Sequence, residues 1–190
     1  MSQYYFFVAS LPGLSFETER TLSPDSFLEM AEANLSSPDM RALRRARIDA
    51  PVELEDAPEV VIEWQRFERG LRNELVKIRA TRKAVDAAEY IRRDDAGNDE
   101  TSRIGLAEVA REAFGEESPL TGEHALNRLR WAYLDELEVG HFFDLNRVIV
   151  YYLKLQILAR ERMFNREDGE RVFTASTEKI MNDYYQEQGV

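Results

Sequence analysis

The stretch LNRVIVYYLKLQILAR, residues 145–160, decides the fold. Apolar side chains fill almost every turn of it: Leu145, Val148, Ile149, Val150, Tyr151, Tyr152, Leu153, Leu155, Ile157 and Leu158. Arg147, Lys154 and then Glu161 follow one another at seven-residue steps, which keeps them on one narrow polar stripe of a helix. A helix that is apolar nearly all round belongs at the buried centre of a domain. A bilayer span is excluded, because charge interrupts the run before roughly 18 apolar residues accumulate. The rest of the chain must therefore supply partners that cover this helix.

It supplies amphipathic helices. Upstream, Ser118-Pro119 or Thr121 opens a helix whose stripe is Leu126, Leu129, Tyr133 and Leu137, with Trp131 and Leu134 beside it and Gly140 at its end. A longer helix starts near Pro58. Val60, Trp64, Phe67, Leu71, Leu75, Ile78 and Val85 form one stripe, and Ile62, Ala80, Ala84, Ala87 and Ile91 a second. Two stripes mean packing from two directions, as in a bundle or a helical hairpin. Asn73 lies on the second side and, with Tyr152, is expected inside the bundle. The Asp94–Asn98 segment is a loop signal. Thr101 or Ser102 caps a further helix carrying Ile104, Leu106, Val109, Ala110 and Phe114, closed by Gly115.

Toward the N-terminus, Ser23-Pro24-Asp25 reads as an N-cap with proline in the first turn, and the helix it starts runs to about Leu35 with Phe27, Leu28 and Ala31 on one side. Ser37-Pro38-Asp39 repeats the signal for a helix to about Ile48. Residues 49–58 are acidic and proline-bearing, a connector. Tyr4–Leu11 is too short for periodicity to separate helix from strand. Beyond the central helix, Asp168-Gly169 reads as a turn and Glu170–Gln186 as a last helical region in one or two pieces. The expectation is an all-α, antiparallel helical bundle with long central helices, one domain over residues 1–190, with connectors near 49–58 and 94–101.

Composition narrows the function. The 190 residues carry a net charge of -11 and 44% hydrophobic residues, with no cysteine. Disulfide scaffolds, cysteine-ligated zinc and thiol nucleophiles are excluded. The acidic balance opposes nucleic-acid binding, which needs clustered Lys and Arg. The one basic cluster, Arg41, Arg44, Arg45 and Arg47, reads as a solvated helix end, where cations suit the dipole. The N-terminus lacks a positive region before its apolar run, so no signal peptide is expected and the location is cytoplasmic.

No catalytic constellation emerges. Glu138-Val139-Gly140-His141 matches Glu-x-x-His, which would put Glu138 and His141 on one helix face as metal ligands. The second such pair that a di-iron site requires is missing, since His124 has Thr121 three residues before it. Ser176-Thr177-Glu178-Lys179 matches Ser-x-x-Lys without its companion elements, and no phosphate-binding glycine loop is present. The acidic clusters Asp94/Asp95, Glu116/Glu117 and Asp135/Glu136/Glu138 read as solvated faces, and the aromatic pairs Tyr4-Tyr5, Phe142-Phe143 and Tyr184-Tyr185 as core or interface. No cofactor is expected.

Several segments together resemble a known family. The opening Tyr4-Tyr5-Phe6-Phe7-Val8-Ala9-Ser10-Leu11-Pro12-Gly13-Leu14-Ser15-Phe16, the helix Leu71–Ala80, Phe142-Phe143-Asp144, the run Tyr151–Arg160, and Gly169 with Phe173 resemble a bacterial family found alongside V-type ATPase subunits. That family is similar to the C subunit of V/A-type ATPases, called d in eukaryotes. The resemblance implies a non-catalytic, all-helical subunit, shorter than the three-lobed classical one, that joins the central stalk to the membrane rotor ring on the cytoplasmic face and serves ion transport. Arg72, Lys77 and Arg79 on the long helix and Phe142 and Phe143 are the interface candidates. The alternatives are a helical adaptor unrelated to ATPases and a metal-binding bundle built on Glu138 and His141.

Overall fold

The computed structural model describes residues 3–18, 20–48, 56–93, 97, 105–116 and 118–163. Most of the 49–58 connector, most of the 94–101 loop, the Thr101/Ser102 start signal, Ile104 and everything read from Asp168 onward lie outside the described residues. Among the described residues there are seven α-helices and no strand. They are α1 (Gln3–Ser10), α2 (Pro24–Glu32), α3 (Ser37–Arg45), α4 (Glu59–Lys83), α5 (Leu106–Gly115), α6 (Pro119–Glu138) and α7 (Leu145–Met163). The helix-or-strand ambiguity of Tyr4–Leu11 resolves as helix.

The apolar run becomes α7, and its neighbours are α1, α2, α3, α4 and α6. Val148 to Leu155, Ile157 and Leu158 are all buried. Burial of a side chain such as Leu or Ile stabilises by about 1.5–3 kcal/mol, so α7 is the largest single contributor to the core. Phe27 of α2 lies between Tyr151 and Tyr152, with ring centroids at 5.3 and 5.7 Å. Antiparallel α4 and α6 meet through Trp64, Phe67 and Tyr133; the Phe67 and Tyr133 rings stack at 4.1 Å.

The local signals act largely as chemistry predicts. Ser23 caps α2 by accepting from the Ser26 amide, with Pro24 in the first turn. In α3 the cap is Ser36 rather than Ser37, accepting from the Asp39 amide. Helices α2 and α3 end at Glu32 and Arg45, short of the predicted Leu35 and Ile48. After α3 the chain is tied down instead: the Gln156 amide donates to the Ala46 carbonyl at 2.8 Å and accepts from the Ile48 amide at 3.3 Å, while the Trp64 indole donates to Arg47 O at 3.2 Å.

The long helix stops earlier than its second stripe predicts. Ala84 turns left-handed (φ 53), its N–H bonding back to Thr81 O while the Val85 N–H reaches Ala80 O. This double bond pattern terminates a helix even where glycine is absent. Val85 is 47% exposed and Ala87 opens a short 3-10 turn to Glu89, so neither Val85, Ala84, Ala87 nor Ile91 extends a helical stripe. The reason is tertiary. Buried Asn73 donates to Arg92 O at 2.7 Å and accepts from Arg92 N at 3.0 Å, folding the chain back onto α4. Helix α5 begins at Leu106 behind Gly105 (φ +88), later than the predicted cap. Gly122 lets α6 approach α5 closely: a Cβ there would stand 2.3 Å from the Ala113 carbonyl oxygen.

Candidate functional site

Charged groups inside the bundle hold its helices together. The three members of the polar stripe on α7 all pair with α6: Arg147 with Glu138, Lys154 with Glu138 and with Asp135 at 2.6 Å, and Glu161 with His124 at 2.8 Å and with Asn127 at 2.6 Å. Of the acidic cluster read as a solvated face, Glu138 is thus half-buried and engaged by both cations, while Asp135 meets Lys154 from an exposed position. Lys154 is buried, and its ammonium also stands 5.3 Å from the centre of the Trp131 ring. Burial lowers its pKa below the ordinary lysine value, and the hydrogen bond and charge of Asp135 partly restore it. On the other side of α6, Arg130 donates to Glu68 of α4 at 2.6 Å, to Asn127 at 2.8 Å and to Glu123 at 3.1 Å. Burial alone would lower the Arg130 pKa, but the charges of Glu68 and Glu123 outweigh it and raise it.

Above the Arg147–Glu138 pair, the α6–α7 turn builds an aromatic end. Helix α6 stops at Glu138. Gly140 takes φ +86, and the His141 amide returns to Glu138 O at 3.0 Å. Asp144 starts α7, accepting from the Arg147 amide at 2.9 Å through Oδ1 and meeting His141 Nδ1 at 2.6 Å through Oδ2. So tight a turn leaves its apolar residues outward: Val139 is 79% exposed, Phe142 72% and Phe143 42%. Tyr5 and Phe6 of α1 join them, with Tyr5 4.6 Å from the Phe143 ring and 5.5 Å from that of Phe6. A cleft of about 550 Å³ runs beneath, lined by Val8, Asp135, Glu138, His141, Phe142 and Arg147 among others.

The candidate ligand pair separates. His141 follows the end of α6, so Glu138 and His141 do not share a helix face as the Glu-x-x-His spacing suggests. They border one cleft, but Glu138 faces Arg147 and Lys154 while His141 faces Asp144. Among the described residues, no group of three or more His, Asp or Glu is placed to hold a metal ion.

Nor does the structure gather all the interface candidates. Phe142 and Phe143 sit at the C-terminal end of α6. Arg79 is exposed near the far end of α4, where neighbouring Arg82 lies 4.3 Å from the Phe114 ring just ahead of the start of α6. The 20 residues of α6 put these two ends about 30 Å apart. Arg72 is turned inward, donating to Ile48 O at 3.2 Å and pairing with Glu68 at 3.4 Å, and Lys77 pairs with Glu74 at 3.0 Å. Sequence reasoning did not single out Tyr5, Phe6 and Val139 as a group. A signal was present: four consecutive aromatics, Tyr4 to Phe7, cannot all face inward when successive helix positions are about 100° apart.

No helix among the described residues is long and apolar enough to cross a membrane. The sequence matches the family described as "Protein of unknown function (DUF2764)" over residues 54–184. That span is more than half of the chain, and the chain belongs to this family. No curated protein and no solved structure matches it.

Proposed function

For this member of the DUF2764 family we propose a non-catalytic role: it is a subunit or accessory protein of a V/A-type ATPase, coupling the central stalk to the membrane rotor ring from the cytoplasmic face. The observation that carries a docking role is the aromatic end. Tyr5, Phe6, Val139, Phe142 and Phe143 form an exposed apolar group bordered by Asp135, Glu138, Asp144 and Arg147. A contiguous apolar patch rimmed by polar groups is the usual mark of a protein interface. Aromatic residues are also the side chains that most often dominate binding energy. The choice of partner rests on the ordered sequence resemblance to the family found beside V-type ATPase subunits. The ion pairs beneath the patch suit a part that must pass a load without deforming, and the net charge of -11 favours basic stalk or ring surfaces.

The test is affinity purification of the tagged protein from its host in mild detergent, with co-eluting proteins identified by mass spectrometry. Stalk and ring subunits in fixed ratio are expected. Phe6→Ser with Phe142→Ser, two exposed positions, should abolish the co-elution while leaving the melting temperature within a few degrees of the parent. Recovery without those subunits, from cells that express the ATPase, would transfer the aromatic end to an unrelated partner.

A further inference from the structure

The C-terminal end of α4 carries a charge opposite to that of the chain. Arg79, Arg82 and Lys83 lie in its last five residues, all exposed. Val85 and Tyr90 follow, 47% and 58% exposed, and after them the exposed Arg92 and Arg93. Residues 79–93 thus hold five cations against two carboxylates, Asp86 and Glu89, a local charge of +3 in a chain of net charge -11. Ion pairs do not cancel it. Among the described residues Arg79, Lys83, Arg92 and Arg93 make no ion pair, and Arg82 meets only the neutral carbonyl and ring of Phe114.

A helix C-terminus favours cations in its last turn, which accounts for Arg82 and Lys83. It does not account for Arg92 and Arg93, which lie beyond the helix. Nine positions separate Lys83 from Arg92 along the chain, and the fold closes that gap. Ala84 turns the chain back, and the Asn73 side chain then holds the Arg92 backbone at 2.7 and 3.0 Å. Asn73 and Lys83 are ten helical residues apart, so the cations fall within about 15 Å along α4. Arg79 and Lys83 also stand about 6 Å apart on one helix face, where like charges oppose the helix. Folding therefore gains nothing from the concentration of charge at this end.

The chemistry of the patch selects its partner. Four of the five cations are arginine, whose planar fork takes two oxygens of one phosphate. Clusters of about four to eight basic residues mark attachment to anionic lipid. Exposed Tyr90 stands in sequence between the two sets of cations, and tyrosine is a side chain that settles at headgroup level. The acidic remainder of the chain does not forbid the contact, because charges more than about 8 Å from the bilayer are screened at physiological salt.

We infer that this end of α4 is a contact for an anionic lipid surface, with Arg79, Lys83, Arg92 and Arg93 on headgroup phosphates and Val85 and Tyr90 at the boundary with the acyl chains. The inference does not depend on what the aromatic end binds.

Co-sedimentation of the full chain with vesicles at about 0.15 M salt tests it. Phosphatidylcholine vesicles containing about one-third phosphatidylglycerol should bring the chain down, and phosphatidylcholine alone should not. Binding should weaken as salt is raised. Arg79→Gln with Lys83→Gln should lower the partition coefficient at least about tenfold, and Arg92→Gln with Arg93→Gln likewise, with circular dichroism and melting temperature retained. Phe6→Ser with Phe142→Ser should leave it unchanged, which separates this surface from the aromatic end. Equal binding to both vesicles, no binding at about 1 mM lipid, or indifference to both arginine-bearing double variants overturns the inference. So does loss of binding in the Phe6/Phe142 variant. Displacement by inorganic phosphate too dilute to alter the ionic strength would mark a discrete phosphate site instead. A dye-labelled oligoglutamate peptide that binds the chain when vesicles do not would assign the cations to an acidic protein. Either result overturns it as well.

Discussion

Arg130 of α6 donates to Glu68 of α4 at 2.6 Å, and both side chains are buried. The pair stands beside the Phe67–Tyr133 stack and fixes the two helices to each other. Removing one partner of such a pair costs more than the pair contributes, because a charge is left in the interior without compensation. Arg130→Met is expected to lose about 3–5 kcal/mol of stability in urea denaturation. Arg130→Met combined with Glu68→Leu should recover most of that loss. A double variant as unstable as the single one would show that packing around Arg130, not its charge, is what matters.

Gly122 carries a second prediction. A methyl group there meets the backbone of α5, which cannot rotate away as a side chain could. Gly122→Ala should therefore destabilise by about 1–3 kcal/mol, despite alanine's better helix propensity. Thermal melts settle the sign: a higher melting temperature would mean that α5 and α6 separate readily.

The third prediction concerns alkaline pH. The Tyr151 hydroxyl donates to Pro12 O at 2.9 Å, and burial holds its pKa above the ordinary 10.0, against the opposing effects of the Thr21 hydroxyl and the Arg147 charge. As pH rises past 10 the unfolded chain releases this proton before the folded one, so the folded state binds more protons and its stability falls. Below pH 10 Tyr151→Phe should cost about 0.5–1.5 kcal/mol for the lost hydrogen bond. Above it the gap between parent and variant should close as the folded tyrosine titrates. Denaturation midpoints of both proteins from pH 8 to 11 check this; a constant gap would contradict it.

Much of the fold was legible because its causes are local. Ser23-Pro24, Ser118-Pro119 and Gly140 mark helix ends through chemistry confined to one turn, and the apolar run of 145–160 announces a central helix on composition alone. The end of α4 was not legible. No glycine or proline marks Ala84; the stop depends on Asn73 gripping the backbone of Arg92, a contact across a turn that periodicity cannot register. The same limit hid the ionic interior. Glu68 and Arg130 look like any surface charges in a sequence 32% charged, because their burial is decided by partners distant along the chain. The stripe of Arg147, Lys154 and Glu161 was the readable exception: polar residues in register on an otherwise buried helix require partners. As for the aromatic end, Phe142-Phe143 stood out by type, whereas the turn that turns them outward and the approach of Tyr5 are tertiary facts.

That stripe has a mechanical consequence. Arg147, Lys154 and Glu161 engage α6 like teeth spaced along a rack. They are spread over about 21 Å of α7, so each pins a different level of the contact with α6. A load applied at either end of α7 is therefore handed to α6 along its length rather than at a single point.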